Sequence, residues 1–198
     1  MLAKAARDAN TTLMTESTAS LCNHFLIAMP YMKDPNFSGT LTYICDHNEH
    51  GALGLIINRP MDFSLGDILE QLDIESGRLD LPIYGGGPVQ LERGFVLHRP
   101  LGDWQSSLEL GRDLALTTSR DILAAIGAGE GPEDFLVALG YAGWGAGQLE
   151  QELAGNIWLT CPADPDILFR TPWQGRFAAA MAGMGIDINQ LSDSVGHA

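Results

Sequence analysis

The stretch FLVALGYAGWGAGQLE, from Phe135 to Glu150, bears directly on the choice of fold. An apolar run of strand type leads into glycines and a helical pattern follows, which is the context of a dinucleotide-binding turn. The spacing does not fit, because Gly143, Gly145 and Gly147 read G-x-G-x-G rather than G-x-G-x-x-G. Trp144 also occupies the place where a pyrophosphate needs close backbone approach. The stretch therefore argues against a dinucleotide fold.

Two interpretations of these glycines stay open. The first is a tight turn plugged by an aromatic side chain, in which the glycines supply backbone angles that other residues avoid. The second is a binding surface, because Tyr141 and Trp144 could form a flat apolar wall with polar tips.

A second glycine block, IYGGGPV, runs from Ile83 to Val89. It is not a P-loop, because no lysine follows to meet a phosphate. Gly87 and Pro88 could open a short helical turn closed by Gly94, whose free N–H groups would hold a small anion. The alternative, which we favour, is a turn at a strand end where the glycines serve backbone shape.

Short apolar runs bounded by Gly, Pro or Asn predict buried strands at 25–29, 52–57, 95–97 and 135–139. More nearly alternating runs predict strands with one wetter face at 40–45 and 114–118. Helices are predicted at 64–72, capped by Ser64 with Asp67 three residues on, at 120–127, from 146, and at about 172–184. Strands in pairs with interspersed helices favour a mixed α+β sheet over regular βαβ units.

The helix predicted at 172–184 carries an aromatic stripe. Trp173, Phe177 and Met181 follow one another at intervals of four residues, so they share a face. We interpret the stripe as core packing.

The chain of 198 residues is long enough for one domain, which we place at residues 21–198 after a flexible N-terminal tail at residues 1–20. No apolar run approaches the roughly 20 residues that span a bilayer, so no membrane association is expected. Eleven basic and 25 acidic residues give a net charge of −14, which opposes binding to nucleic acid. The three cysteines are widely spaced, so we expect reduced thiols and a cytoplasmic protein.

Chemically suggestive side chains are few. The stretch CDHNEHG, from Cys45 to Gly51, offers metal-ligand types, but its place between two apolar strands predicts a hairpin turn instead. Common metalloprotease and serine-hydrolase motifs are missing, and we expect neither a metal nor a cofactor. Cys45 as nucleophile or His98 as base would be the residues of an enzyme, although burial or a strand end explains each equally well.

Several blocks together resemble the YqgE/AlgH family. They are HFLIAMP (24–30), YICDHN and GALGLIINRP (43–60), YGGGPV (84–89), Leu97-His98, and GYAGWGAGQLEQEL with NIWL (140–159). The resemblance implies an α+β fold with a mixed, bifurcated sheet folded into a pseudo-barrel with flanking helices. It also implies a bacterial cytoplasmic protein without an assigned activity, often labelled a transcriptional regulator.

Three functions follow as hypotheses. The first is a non-enzymatic binding or regulatory module that acts indirectly on gene expression and binds a small anionic ligand or a protein partner, with Arg59 as the anion anchor. An ordinary surface salt bridge explains Arg59 about as well. The others are an enzyme using Cys45 or His98, and a direct DNA-binding regulator, which the acidic charge disfavours. The candidate ligand-binding residues are Asn58, Arg59, Gly85, Gly86, Gly87, Pro88, Tyr141, Trp144 and Gln148.

Overall fold

The structure is a computed structural model that describes residues 20–77 and 79–186. The predicted tail at residues 1–20 lies, apart from Ser20, outside these residues, as does the end of the chain after Ile186. The described ranges contain ten strands: β1 His24–Ala28, β2 Leu41–Asn48, β3 Gly51–Ile56, β4 Pro60–Ser64, β5 Pro82–Gly85, β6 Val89–Arg99, β7 Ser107–Gly111, β8 Leu114–Thr117, β9 Asp134–Gly145 and β10 Trp158–Pro162. They also contain five helices: α1 Leu65–Gln71, α2 Arg120–Ala128, α3 Gln148–Ala154, α4 Pro165–Phe169 and α5 Trp173–Gly183.

The strands form one sheet that divides at β9. Its main path runs β10-β1-β2-β3-β9-β6-β8-β7 with antiparallel neighbours. A short branch, β4-β5, joins β9 through a parallel pairing in which Ile83 lies opposite Val137. The sheet is therefore mixed and bifurcated. It curls into a half-barrel accompanied by the five helices, which confirms the predicted α+β fold class.

The predicted strands are all present, but the stretch after Leu139 is not the tight turn of the first interpretation. β9 continues through the glycines to Gly145 and pairs there with β3, with Trp144 opposite Ala52. The glycines are tolerated because they let neighbouring backbone cross closely, not because the chain reverses. The strand assignment at 140–145 therefore corrects the turn interpretation.

Local capping explains where the helices begin. Ser64 and Asp67 form the predicted capping box at the start of α1. The helix predicted from Ala146 starts at Gln148, because Gly147 stands at its N-cap with a left-handed φ of 72°. We did not predict α4, although Asp164 caps it and Pro165 occupies its first turn.

Three apolar clusters fill the described part of the molecule. The largest lies inside the curl and includes Met181, with Trp173 and Phe177 packed against it, so the predicted core role of that stripe is confirmed. A second lies beneath α1 and α2, and a third surrounds Trp144 and Trp158. No helix among the described residues is long and apolar enough to span a membrane.

Asn23 holds two distant parts of the sheet together. Its Nδ2 donates to the carbonyl of Leu110 at 2.6 Å, and its Oδ1 accepts from the Tyr43 hydroxyl at 2.6 Å. Leu110 belongs to β7 at one end of the strand path, whereas Tyr43 lies on β2 near the other end. One side-chain amide thus links β7, the last strand of the path, with β2, to which β7 does not pair in the described part of the sheet.

Candidate functional site

The two glycine blocks meet, and they meet through their backbones. The Gly86 N–H donates to the carbonyl of Leu139 at 2.8 Å. A Cβ added to Gly86 would lie 2.3 Å from the Gly140 oxygen, and one added to Gly87 would lie 2.2 Å from the Tyr141 carbonyl carbon. Glycine is required here because any side chain would collide with the crossing chain. After Pro88 the chain enters β6 directly, so the helical turn considered for a small anion is not formed.

Asn58 and Arg59 hold the segment 35–41. The Arg59 guanidinium donates to the carbonyls of Pro35 at 2.9 Å, Asn36 at 2.8 Å and Ser38 at 2.8 Å. Asn58 accepts from the Leu41 N–H at 2.9 Å and donates to the Gly39 carbonyl at 3.0 Å. Both side chains therefore make several hydrogen bonds within the molecule, three from Arg59 and two with Asn58.

Trp144 and Gln148 belong to a network centred on Glu152. The indole N–H groups of Trp144 and Trp158 donate to the same Glu152 oxygen, at 2.9 and 2.7 Å. Gln148 donates to the other oxygen at 2.9 Å and accepts from the Gly145 N–H at 3.0 Å. Phe37 packs on both indoles, with ring centroids 6.1 Å and 5.5 Å away, so this network also fixes the segment 35–41.

Tyr141 lies on the opposite face of β9 from Trp144, because the two are an odd number of residues apart in a regular ladder. Its ring packs edge-on against Phe95 at 5.7 Å, in a different apolar cluster from Trp144. The predicted residues are thus connected through the backbone, but their side chains do not face one cavity. We call residues 35–41, 58–59, 85–88 and 140–152 the signature region.

The two candidates for catalysis are buried. His98 is fully buried; its Nδ1 donates to the Pro100 carbonyl at 3.1 Å and its Nε2 accepts from the Thr117 hydroxyl at 2.8 Å. Burial lowers the pKa of His98, which favours the neutral ring. Burial also raises the pKa of Cys45 far above its ordinary value, which disfavours the thiolate that a nucleophile requires.

The stretch CDHNEHG forms the predicted hairpin, since β2 ends at Asn48 and β3 begins at Gly51. His47 Nδ1 accepts from the Leu21 N–H at 3.0 Å, which places the ring hydrogen on Nε2, 2.8 Å from a Glu150 oxygen. Within residues 20–77 and 79–186, no three His, Cys, Asp or Glu side chains converge in a way that could hold a metal ion.

A groove of about 920 Å³ lies on another part of the surface, between β4, α1, the segment 74–82 and the start of α5. The segment meets the first turn of α1, whose Leu65 and Gly66 N–H groups donate to the carbonyls of Leu81 at 2.8 Å and Leu79 at 3.0 Å. The apolar side chains of the groove include Met61, Phe63, Ile74, Leu79, Leu81 and Trp173.

Carboxylates dominate the polar lining of this groove. They belong to Asp62, Asp67, Glu70, Glu75 and Asp80. The ion pairs found in the described part of the chain all lie elsewhere. Asp67 accepts from the Ser64 N–H at 2.7 Å, and this bond lowers its pKa. The groove therefore presents a concentration of negative charge without a described basic neighbour.

Our reading of the sequence missed the groove. One signal was available: six acidic residues stand between positions 62 and 80 against one basic residue, Arg78, which lies outside the described residues. The position of Trp173, about a hundred residues further along the chain, carried no such signal.

Comparison with known proteins places the chain in a family. A family model described as AlgH-like matches residues 25–189. The chain belongs to the AlgH-like family. Among its relatives is a UPF0301 protein of Hahella chejuensis, 58% identical over 93% of this chain and 100% of the relative. A UPF0301 protein of Thioalkalivibrio sulfidiphilus is 55% identical over 92% of this chain and 99% of its own length.

Solved structures agree with this family assignment. The solution structure of the AlgH protein from Pseudomonas aeruginosa superposes with a TM-score of 0.74 at 55% identity, covering 92% of this chain and 98% of that one. A crystal structure of a Corynebacterium diphtheriae protein reaches a TM-score of 0.66 at 18% identity, covering 81% and 85%. The second likeness concerns the AlgH-like fold alone.

Proposed function

We propose that this protein is a non-enzymatic binding module that acts indirectly on gene expression by docking a protein partner in the groove. The groove carries the proposal, because it combines the exposed Leu81 and five partly exposed apolar side chains with five carboxylates outside any described ion pair. Surfaces with an apolar floor and a polar rim are typical of protein interfaces. A surface that concentrates negative charge gains favourable interactions when a partner of complementary charge arrives.

The state of His98 and Cys45 supports a non-enzymatic role. A general base must reach a substrate proton, and the His98 ring is buried with both nitrogens hydrogen-bonded. A nucleophilic thiol needs a lowered pKa, and burial shifts the pKa of Cys45 the other way.

Partner docking also fits better than the two other ligand classes. The guanidinium of Arg59, on which the anion hypothesis rests, already donates to three backbone carbonyls. Direct DNA binding would place a chain of net charge −14 against phosphates. A partner protein acting between this module and transcription avoids both difficulties.

Comparative affinity capture tests the proposal. The bait is either the natural chain, a groove variant with Glu70→Lys and Glu75→Lys, or a control variant with Glu92→Lys and Glu109→Lys, whose carboxylates are also exposed but lie away from the groove. The groove variant and the control variant each replace two glutamates by lysines, so their net charges are equal. Bulk electrostatics therefore affects both variants alike.

We expect at least one protein to be recovered with the natural chain and with the control, but lost with the groove variant. If the natural chain and both variants recover the same proteins in the same amounts, the groove does not dock a partner and the proposal fails.

A further inference from the structure

We propose that the segment received by the groove is basic and amphipathic, with lysines or arginines on one side and apolar side chains on the other; this inference rests on the proposed function. The groove defined above by β4, α1 and the segment 74–82 offers both kinds of complement at once. Neither a purely charged ligand nor a purely apolar one would use all of it.

The distribution of the carboxylates selects a ligand whose positive charges are spread out. Asp62 stands on β4, Glu70 on α1, and Glu75 and Asp80 on the segment beyond it. In the described part of the chain these acids do not gather into a set of three or more that could hold a metal ion. Hard divalent cations require six or more oxygens at close range, so separate ammonium or guanidinium groups match the groove better.

The apolar lining selects against a simple polycation. Leu81 is 39% exposed, and Trp173 also lines the groove. Burying such side chains stabilises a complex by about 25 cal/mol per Å² of apolar surface, which a polar peptide cannot recover. The same carboxylates repel acidic peptides and phosphates, which gives the groove selectivity by charge.

Titration calorimetry with three synthetic peptides tests the partner class on the full chain. The first is an amphipathic peptide of about 14 residues with leucines on one face and lysines on the other. In the second, glutamine replaces every lysine; in the third, serine replaces every leucine. We expect the first to bind at least about tenfold more tightly than either of the others.

Matched variants locate that binding. Glu70→Gln, Glu75→Gln and Asp80→Asn together remove three groove charges, whereas Glu92→Gln, Glu109→Gln and Glu133→Gln remove three exposed charges elsewhere. We expect the groove triple to weaken binding of the amphipathic peptide about tenfold, and the remote triple to weaken it less than about twofold. Raising the salt concentration should reduce the difference between them.

Equal weakening by the two triples would assign the binding to net charge and overturn the inference. Tight binding of the serine-containing peptide would overturn it as well, because the apolar lining would then have no role. If none of the peptides binds while groove-dependent capture persists, the partner class is wrong and the docking function stands. If peptides bind but capture shows no groove-dependent protein, the docking function fails instead.

Discussion

The signature region and the groove treat their carboxylates in opposite ways. In the signature region Glu152 accepts hydrogen bonds from Trp144, Trp158 and Gln148, and Glu150 meets the ring of His47. In the groove, five carboxylates line one surface outside any ion pair of the described residues, and of these Asp67 accepts hydrogen bonds from Ser64. Polar groups that are satisfied internally stabilise a fold, whereas like charges gathered on one surface destabilise it slightly and favour a partner of opposite charge.

The difference teaches that the most distinctive sequence and the most available surface need not coincide. The glycine blocks and the paired tryptophans resemble a binding site in sequence. In the structure, however, the glycine blocks pack against each other and both indoles donate to Glu152 of the same region. The groove is formed by less distinctive sequence, and its carboxylates remain accessible to solvent. Removing a carboxylate should therefore lower the free energy of unfolding in the signature region and raise it in the groove.

The largest expected effect is at the crossing of the glycine blocks. Gly87→Ala would place a Cβ 2.2 Å from the Tyr141 carbonyl carbon, at a φ of +153°. We expect the free energy of unfolding to fall by about 3 kcal/mol or more. Urea denaturation would measure it, with Gly94→Ala as the control, since its nearest neighbour would be 4.0 Å away. Equal stability of the two variants would contradict the close crossing.

The next effect concerns the carboxylate shared by two indoles. Glu152→Ala leaves the N–H groups of Trp144 and Trp158 without their acceptor, which should lower the free energy of unfolding by about 2–3 kcal/mol. Gln151→Ala, at an exposed position of the same helix, should change it by less than about 0.5 kcal/mol. Chemical denaturation of both variants makes the comparison, and a small loss for Glu152→Ala would mean that the network does not stabilise the region.

A smaller effect should appear in acid. The backbone N–H of Glu150 at the start of α3, together with His47, holds the pKa of Glu150 below its ordinary value of 4.5. A carboxyl group with a lowered folded-state pKa contributes stability above the unfolded pKa and loses it as the pH falls through the folded one. Natural protein should therefore lose stability faster than Glu150→Gln as the pH drops below about 4.5. If the free energy of unfolding changes equally with pH in the two proteins between pH 3 and 6, Glu150 does not make this contribution.

The smallest effect has the opposite sign and lies in the groove. Glu70→Gln with Glu75→Gln relieves repulsion among the carboxylates, so the free energy of unfolding should rise by about 0.3–0.5 kcal/mol at low salt. The gain should disappear at high salt. Thermal denaturation at two salt concentrations would detect it, and a loss of stability would show that these carboxylates have stabilising partners after all.

Much of the fold could be predicted because its signals are local. Apolar runs marked the strands of the central sheet, and Ser64 with Asp67 marked the start of α1. The stretch at 140–145 misled us, because glycines indicate turns when their neighbours are unknown. Its strand character comes from pairing with β3, whose Gly51 lies about ninety residues earlier.

The candidate site could not be predicted in the same way. Arg59 has the charge of an anion anchor, but its partners are backbone carbonyls more than twenty residues away. Every residue has such a carbonyl, so the sequence does not indicate which ones Arg59 will contact. The groove depends on Trp173 approaching β4 and the segment after α1. Both arrangements are consequences of the curled sheet and appear only once the chain is folded.

Trp173 also gives the groove an optical property. The chain has four tryptophans: Trp144 and Trp158 are buried and hydrogen-bonded, Trp104 is partly buried against His98, and Trp173, also partly buried, lines the open groove. A partly exposed indole emits at longer wavelength than a buried one and is more accessible to dissolved quenchers, and an occupant that covers it reverses both differences. The unlabelled protein therefore reports on its own groove: filling it should shift the emission of Trp173 to the blue and protect it from iodide.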